Sequence, residues 1–291
     1  SCSLLPMVLL QAENYFTGHR SRATLTLGIL FGLQVLSGHP LPVVMTFYAF
    51  MLFFVLRARH LYLRDSGSSL APQVGRHLLR LAAIGTIAIG MSAIQLLPML
   101  ELSALSVRGG GLSYGHASVG SLMPLNLISV AFPHWAQLQE TPLYVGVFTV
   151  LLAFLSFRMA FPGSGKSTPD TSQTEADPRL FYCRYFLLLA AVATFLALGK
   201  FNVVDPVLRT VLPGLRYLRM SERFLVVTTL SLAVLAGYGL DHLREALRSR
   251  GDSLRSLRTV VLVATSLSLI GIGLASFGST VWRSDIVAMG K

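Results

Sequence analysis

Long apolar runs, separated by short arginine-rich segments, leave this chain few ways to fold. Residues 23–37, 41–56, 81–100, 142–157, 185–199, 224–240 and 260–277 are apolar almost throughout, and a shorter run, 3–16, opens the chain. A helix that crosses a bilayer needs roughly 17–25 such residues. In lipid, every backbone N–H and C=O must also be satisfied within the spanning segment. The pattern predicts an all-α, polytopic transmembrane helical bundle of about eight spans, the first incomplete, forming a single transmembrane domain over 1–291.

Charge supports this class and argues against another. Only 13% of the 291 residues are charged, about half the usual share for a soluble domain. The net charge of +11 would suit a nucleic-acid partner, but the cations are interrupted by apolar runs and do not form a continuous basic stripe. Cytoplasmic loops collect Lys and Arg, which places 18–22, 57–80 and 241–258 inside. In the second of these, Arg57, Arg59, Arg64, Arg76 and Arg80 face one acid, Asp65. The segments 38–40, 101–141, 200–223 and 278–291 then face out, carrying Trp135 and Trp282. Within 101–141, the apolar piece 119–132, broken by Pro124, reads as a re-entrant or interfacial helix on the outer face. Residues 162–178, rich in Ser, Thr, Pro and Asp, read as a mobile cytoplasmic linker. That linker includes a Walker-like run, A-F-P-G-S-G-K-S at 160–167. It lacks the preceding strand and following helix that a phosphate-binding loop needs.

One outer segment breaks the charge rule. Residues 200–223, KFNVVDPVLRTVLPGLRYLRMSER, hold Lys200, Arg209, Arg216, Arg219 and Arg223 against Asp205 and Glu222. Asp205-Pro206 and Pro213-Gly214 should mark turns at the two ends of a short helix. Arg216 and Arg219 are three apart and Arg223 is four further on, so all share one face if the helix continues. Guanidinium groups so arranged suit a phosphate, which each can grip with two parallel hydrogen bonds. Snorkelling to lipid headgroups accounts easily for one such arginine and poorly for three.

Other outer polar groups could complete a site. His39, in the turn Gly38-His39-Pro40, either contacts a ligand or caps a helix. Gln95 either bonds the backbone freed by Pro98 or lines a polar cavity. Glu101 either pairs with Arg108 or the 200–223 cations, or acts as a general base. Tyr114, His134 and Tyr144 either anchor at the interface or stack on a sugar. Cys2 and Cys183 are expected near opposite faces, unable to form a disulfide and without the neighbours of a metal site.

Several of these segments, taken in order, resemble one family. S-G-H-P at 37–40, S-A-I-Q-L-L-P-M-L-E at 92–101, S-V-R-G at 106–109, P-L-Y-V-G at 142–146, L-P-G-L-R-Y-L-R-M-S-E-R-F at 212–224 and L-A-G-Y-G-L at 235–240 resemble the bacterial YfhO-type membrane proteins. These are relatives of the polyprenyl-phosphate-dependent glycosyltransferases of the GT-C fold. The family often has Gln after G-H-P, where this chain has Leu41. The resemblance implies a multi-pass protein of the bacterial cytoplasmic membrane. It would move a sugar from a polyprenyl-phosphate carrier to a cell-envelope polymer at the outer face. In that picture Lys200, Arg216, Arg219 and Arg223 bind phosphate. His39, Gln95, Arg108, His134 and Tyr144 contact substrate, and Glu101 is the candidate base within this chain. GT-C enzymes carry acidic catalytic residues in a first outer loop, so the chain is expected to be an internal fragment lacking that loop, inactive by itself. A divalent metal is expected only with that loop. A transporter or flippase for a lipid-linked sugar, and a non-catalytic membrane scaffold, remain as alternatives.

Overall fold

The computed structural model describes residues 2–64, 70–105, 114–132, 144–160, 178–219 and 221–249, with isolated positions 262 and 266. The fold is all-α; among the described residues there is no strand. The helices are α1 (Leu5–Phe16), α2 (Arg20–Leu36), α3 (Pro40–Arg64), α4 (Leu70–Leu105), α5 (Tyr114–Ala117), α6 (Val147–Ala160), α7 (Pro178–Ala197), α8 (Asp205–Val211) and α9 (Leu225–Ser249). Two compact units result: Ser1–Ala117 with Pro206–Arg219, and Ser118–Asp205 with Met220–Lys291.

In the first unit, α1 buries Leu5, Val8, Ala12 and Tyr15. Their three- and four-residue spacing makes one helical stripe, and it packs on α2 and α3. Gly18, at φ 112, turns the chain into α2; Gly38, at φ 72, turns it into α3, whose first residue is proline. Helix α2 lies against α4 through Gly28 and Gly32. A Cβ on Gly28 would come within 2.7 Å of Ile87 Cβ, and one on Gly32 within 3.1 Å of Met91 Sδ. Two glycines four apart let helix backbones approach closely, a common device where lipid rather than water surrounds the helices. A buried polar pair joins α2 to α3: Gln34 Nε2 donates to Thr46 Oγ1 at 2.9 Å, and both residues are 0% exposed. Nearby, Arg57 Nη2 of α3 meets Glu13 Oε1 of α1 at 2.6 Å.

In the second unit α6, α7 and α9 pack together. Leu152, Ala236 and Leu243 form a buried cluster, flanked by Leu155 and Leu240. Ser156 Oγ of α6 donates to the Leu235 carbonyl of α9. Gly239 sits where any Cβ would run into the Leu152 carbonyl. At one end of this unit Arg179 Nη1 and Glu245 Oε1 pair at 2.7 Å, both more than half exposed, a geometry that adds little to stability.

Among the described residues, four helices are long and apolar enough to cross a membrane: Pro40–Tyr62, Val74–Leu105, Pro178–Ala197 and Ser221–Glu245. The other expected spans are less complete. Those near 3–16, 23–37 and 142–157 fold as helices of 12, 17 and 14 residues. The one at 260–277 lies outside the described residues except for positions 262 and 266, as do residues 162–177 of the linker. The expected polar loop 57–80 is mostly helix, because Arg and Leu are good helix formers and neither Gly nor Pro interrupts the end of α3. Likewise α4 runs past Pro98 through Glu101 to Leu105. At 36 residues it is about 54 Å long, more than a bilayer core of about 30 Å. The apolar piece 119–132 forms a seven-residue 3-10 helix, Pro124–Val130, about 14 Å long.

Candidate functional site

The cationic stretch folds in two halves, one in each unit. In the first unit, α8 is followed by a turn at Pro213-Gly214, with Gly214 at φ 90, and by a 3-10 turn, Leu215–Tyr217. The expected short helix and the turn at Pro213-Gly214 are present, whereas Asp205-Pro206 begins the helix itself. This segment is fastened to α3. Tyr48 Oη donates to the Pro213 carbonyl at 2.6 Å. A Cβ on Gly214 would come within 3.3 Å of Val44 Cγ2, so the chain runs close over that helix.

Arg209 closes the segment from inside. It is buried, and its Nη1 donates to the carbonyls of Leu218 at 3.2 Å and Leu215 at 3.4 Å. Backbone acceptors at the end of a non-helical turn need donors, and a guanidinium reaches two at once. Arg209 is thus engaged in the fold.

The expected single helical face does not form. Leu218 is extended at φ -102, ψ 140, and a separate 3-10 turn, Ser221–Phe224, leads into α9. Arg216, Arg219 and Arg223 therefore do not lie on one helix. The left-handed Gly214 and the carbonyls of Leu215 and Leu218 turned to Arg209 interrupt the helical path. Arg219 is exposed, Arg223 is half-buried, and Lys200 is exposed. Both acids of the stretch, Asp205 and Glu222, are buried. The surface that the stretch presents is cationic.

The second half sits on a junction of three segments in the second unit. Leu122 N–H donates to the Ala197 carbonyl at 2.9 Å, and Glu222 N–H to the Gly120 carbonyl at 2.9 Å. Lys200 N–H donates to Ser121 Oγ at 3.0 Å, and Ser121 Oγ in turn donates to the Ser118 carbonyl at 2.7 Å. Gly199, at φ 47, packs against the Ser121 and Ser221 hydroxyls so tightly that no side chain fits. Lys200 and Arg223 flank this junction, and the Lys200 ammonium lies 5.3 Å from the Phe201 ring centroid. Tyr144 is exposed, beside Val145 and Gly146, whose N–H groups donate to the Val130 carbonyl at 3.0 and 3.2 Å.

In the first unit, the Gln95 amide nitrogen lies 3.7 Å from where a Cβ on Gly38 would stand. The structure thus brings Gln95 to the turn that carries His39, and both are exposed. Glu101 is exposed on the last turns of α4. Arg108 and His134 lie outside the described residues. Among the described residues no cluster of His, Cys, Asp and Glu has the make-up of a metal site, and neither Cys2 nor Cys183 is in a disulfide.

In the first unit Gly38 and Gln95 come together while 213–214 lies on α3 at Val44 and Tyr48; in the second, 120–122, 197–200 and 221–222 meet. Tyr48, Ser121 and Gly199 were not singled out in the sequence, and Arg209 was read there only as one of the cations of the stretch. A tyrosine inside an apolar run and a glycine directly before Lys200 were the available signals for two of them. No family model, curated protein or solved structure matches the chain. Chemically, the arrangement offers a cationic surface on a segment held by backbone hydrogen bonds, together with exposed imidazole, amide and carboxylate groups.

Proposed function

We propose that this chain is part of a membrane-embedded glycosyltransferase of the bacterial cytoplasmic membrane, similar to the YfhO-type relatives of the GT-C enzymes. It moves a sugar from a polyprenyl-phosphate carrier to a cell-envelope acceptor at the outer face. The observation that carries this is the charge distribution of 200–223. Lys200 and Arg219 are exposed and Arg223 is half-buried, while Asp205 and Glu222 are buried. A cationic surface on a segment that the positive-inside rule would keep neutral calls for an anionic ligand.

In this mechanism the acceptor hydroxyl attacks the anomeric carbon as the bond to the carrier phosphate breaks, and the phosphate departs with the bonding electrons. The candidate phosphate contacts, whose charge stabilises the leaving phosphate, are Arg216 and Arg219 in the first unit and Lys200 and Arg223 in the second. A carboxylate takes the acceptor proton; Glu101 is the candidate within this chain. His39, Gln95, Arg108, His134 and Tyr144 position the sugar and acceptor.

The test separates phosphate recognition from snorkelling. Lysine keeps the charge but loses the guanidinium fork, whereas a snorkelling residue works equally well as either. Arg216→Lys, Arg219→Lys and Arg223→Lys are each made in the full chain. Affinity for polyprenyl phosphate is measured at matched expression. At least two of the three should bind roughly ten- to a hundred-fold more weakly, the cost of one lost charge-assisted hydrogen bond. Parental affinity in all three variants rules out the phosphate grip.

A further inference from the structure

A cavity of about 350 Å³ opens at the end of the first unit remote from the Ser37-Gly38-His39 turn. Its walls come from all four long helices of that unit. Arg20 stands at the start of α2, while Arg76, His77 and Arg80 stand within about one turn on α4. Facing them are Tyr62 of α3 and Phe16 of α1, and none of the described lining residues is a carboxylate. Glu13, one turn before Phe16, is committed to Arg57.

Two of the wall groups are held in place by one buried side chain. Tyr15 is 0% exposed. Its hydroxyl and His77 Nδ1 share a hydrogen bond of 2.8 Å, so the imidazole offers its Nε2 to the cavity. The Arg80 guanidinium lies over the Tyr15 ring, 5.6 Å from its centroid, within range of a cation–π interaction. Phe54 meets the His77 ring edge-on at 5.5 Å. Three guanidinium groups line one cavity, and a cavity walled by cations favours an anion. Basic pockets between membrane helices suit the phosphates of lipid headgroups, and Phe16 gives this one an apolar edge.

We propose that this cavity is a binding site for a phosphate-bearing anion, with Arg20, Arg76 and Arg80 as its charge-bearing contacts and His77 as a further donor. The site is separate from the 200–223 stretch and does not depend on the glycosyl-transfer proposal.

The experiment measures ligand binding to the full chain in neutral detergent by native mass spectrometry. The probes are phosphatidylglycerol, phosphatidylcholine and inorganic phosphate. Phosphatidylglycerol should bind at least about tenfold more tightly than phosphatidylcholine. The double variant Arg20→Gln/Arg76→Gln should lose at least about tenfold in that affinity. The control Arg22→Gln/Arg59→Gln removes the same charge from exposed residues outside the lining and should stay within about threefold of the parent. If the double variant does not fold, Arg76→Gln alone is used, with a loss of about threefold or more expected. Phosphatidylglycerol binding that millimolar inorganic phosphate does not displace assigns a lipid headgroup; displacement assigns a soluble phosphate at the same site. Equal losses in both double variants, or no preference for either phosphate-bearing probe over phosphatidylcholine, overturns the proposal.

Discussion

Gly239→Ala is expected to destabilise the second unit by about 3 kcal/mol, at the upper end of the usual cost of overpacking. The neighbouring Gly237→Ala should be neutral or stabilise it by up to about 1 kcal/mol. The two substitutions add the same methyl group to the same helix, and alanine is the better helix former at both positions. They differ in what the methyl meets. At Gly237 there is nothing within 4 Å, whereas at Gly239 the Leu152 carbonyl already fills the space. A carbonyl cannot rotate aside as a flexible side chain can, so α6 and α9 must separate. Separation strains the bond from Ser156 Oγ to the Leu235 carbonyl and loosens the cluster of Leu152, Ala236 and Leu243. Thermal unfolding of the two variants in the same detergent reads the difference. Equal stability of the two would mean that α6 and α9 are not packed this closely.

Glu13→Gln is expected to cost about 3 kcal/mol, the lower end of the range for breaking a buried ion pair. The Glu13 and Arg57 side chains are 18% and 11% exposed and pair at 2.6 Å. The substitution removes the carboxylate charge that balances Arg57 while keeping the shape. It should therefore cost more than any surface pair in the chain, such as Arg179 with Glu245, whose loss should cost under about 1 kcal/mol. Replacing both members, as Glu13→Gln/Arg57→Met, should recover a large part of the loss, because a buried pair replaced by uncharged groups is often close to neutral. Melting temperatures of the parent, the two single variants and the double variant form the cycle that measures this. Additive losses would show that the two charges act independently.

The apolar runs announced the helices because lipid-compatible segments must satisfy their own backbone. Their ends were harder to place. The run of arginines from 57 to 80 suggested a loop, yet charge does not oppose helix, and α3 and α4 carry Arg57, Arg59, Arg76 and Arg80 as helical residues. Gly28 and Gly32, four residues apart, passed unread in the sequence and take on meaning only with α2 lying on α4. Pro213-Gly214 announced a turn, but not how far the disruption would run. The extended Leu218 depends on Arg209, a residue whose charge suggests the surface and whose two carbonyl partners hold it inside. Tertiary partners of that kind leave no local pattern, which is why the shared helical face of Arg216, Arg219 and Arg223 was expected and does not form. The cavity beside Tyr15 was hidden for the same reason, since its walls come from four separate segments.

The functional account stands on the outward placement of the cationic stretch, and site-directed thiol labelling measures that placement. In a background with Cys2→Ser and Cys183→Ser, single cysteines replace Val203, which is 94% exposed, and Arg59, which is exposed on α3. Intact cells are treated with a membrane-impermeant maleimide. The account predicts that the Val203→Cys variant is labelled in intact cells, and the Arg59→Cys variant only after the membrane is permeabilised. Labelling of Arg59→Cys in intact cells, with Val203→Cys silent until permeabilisation, would put the cationic stretch on the cytoplasmic side and contradict the account.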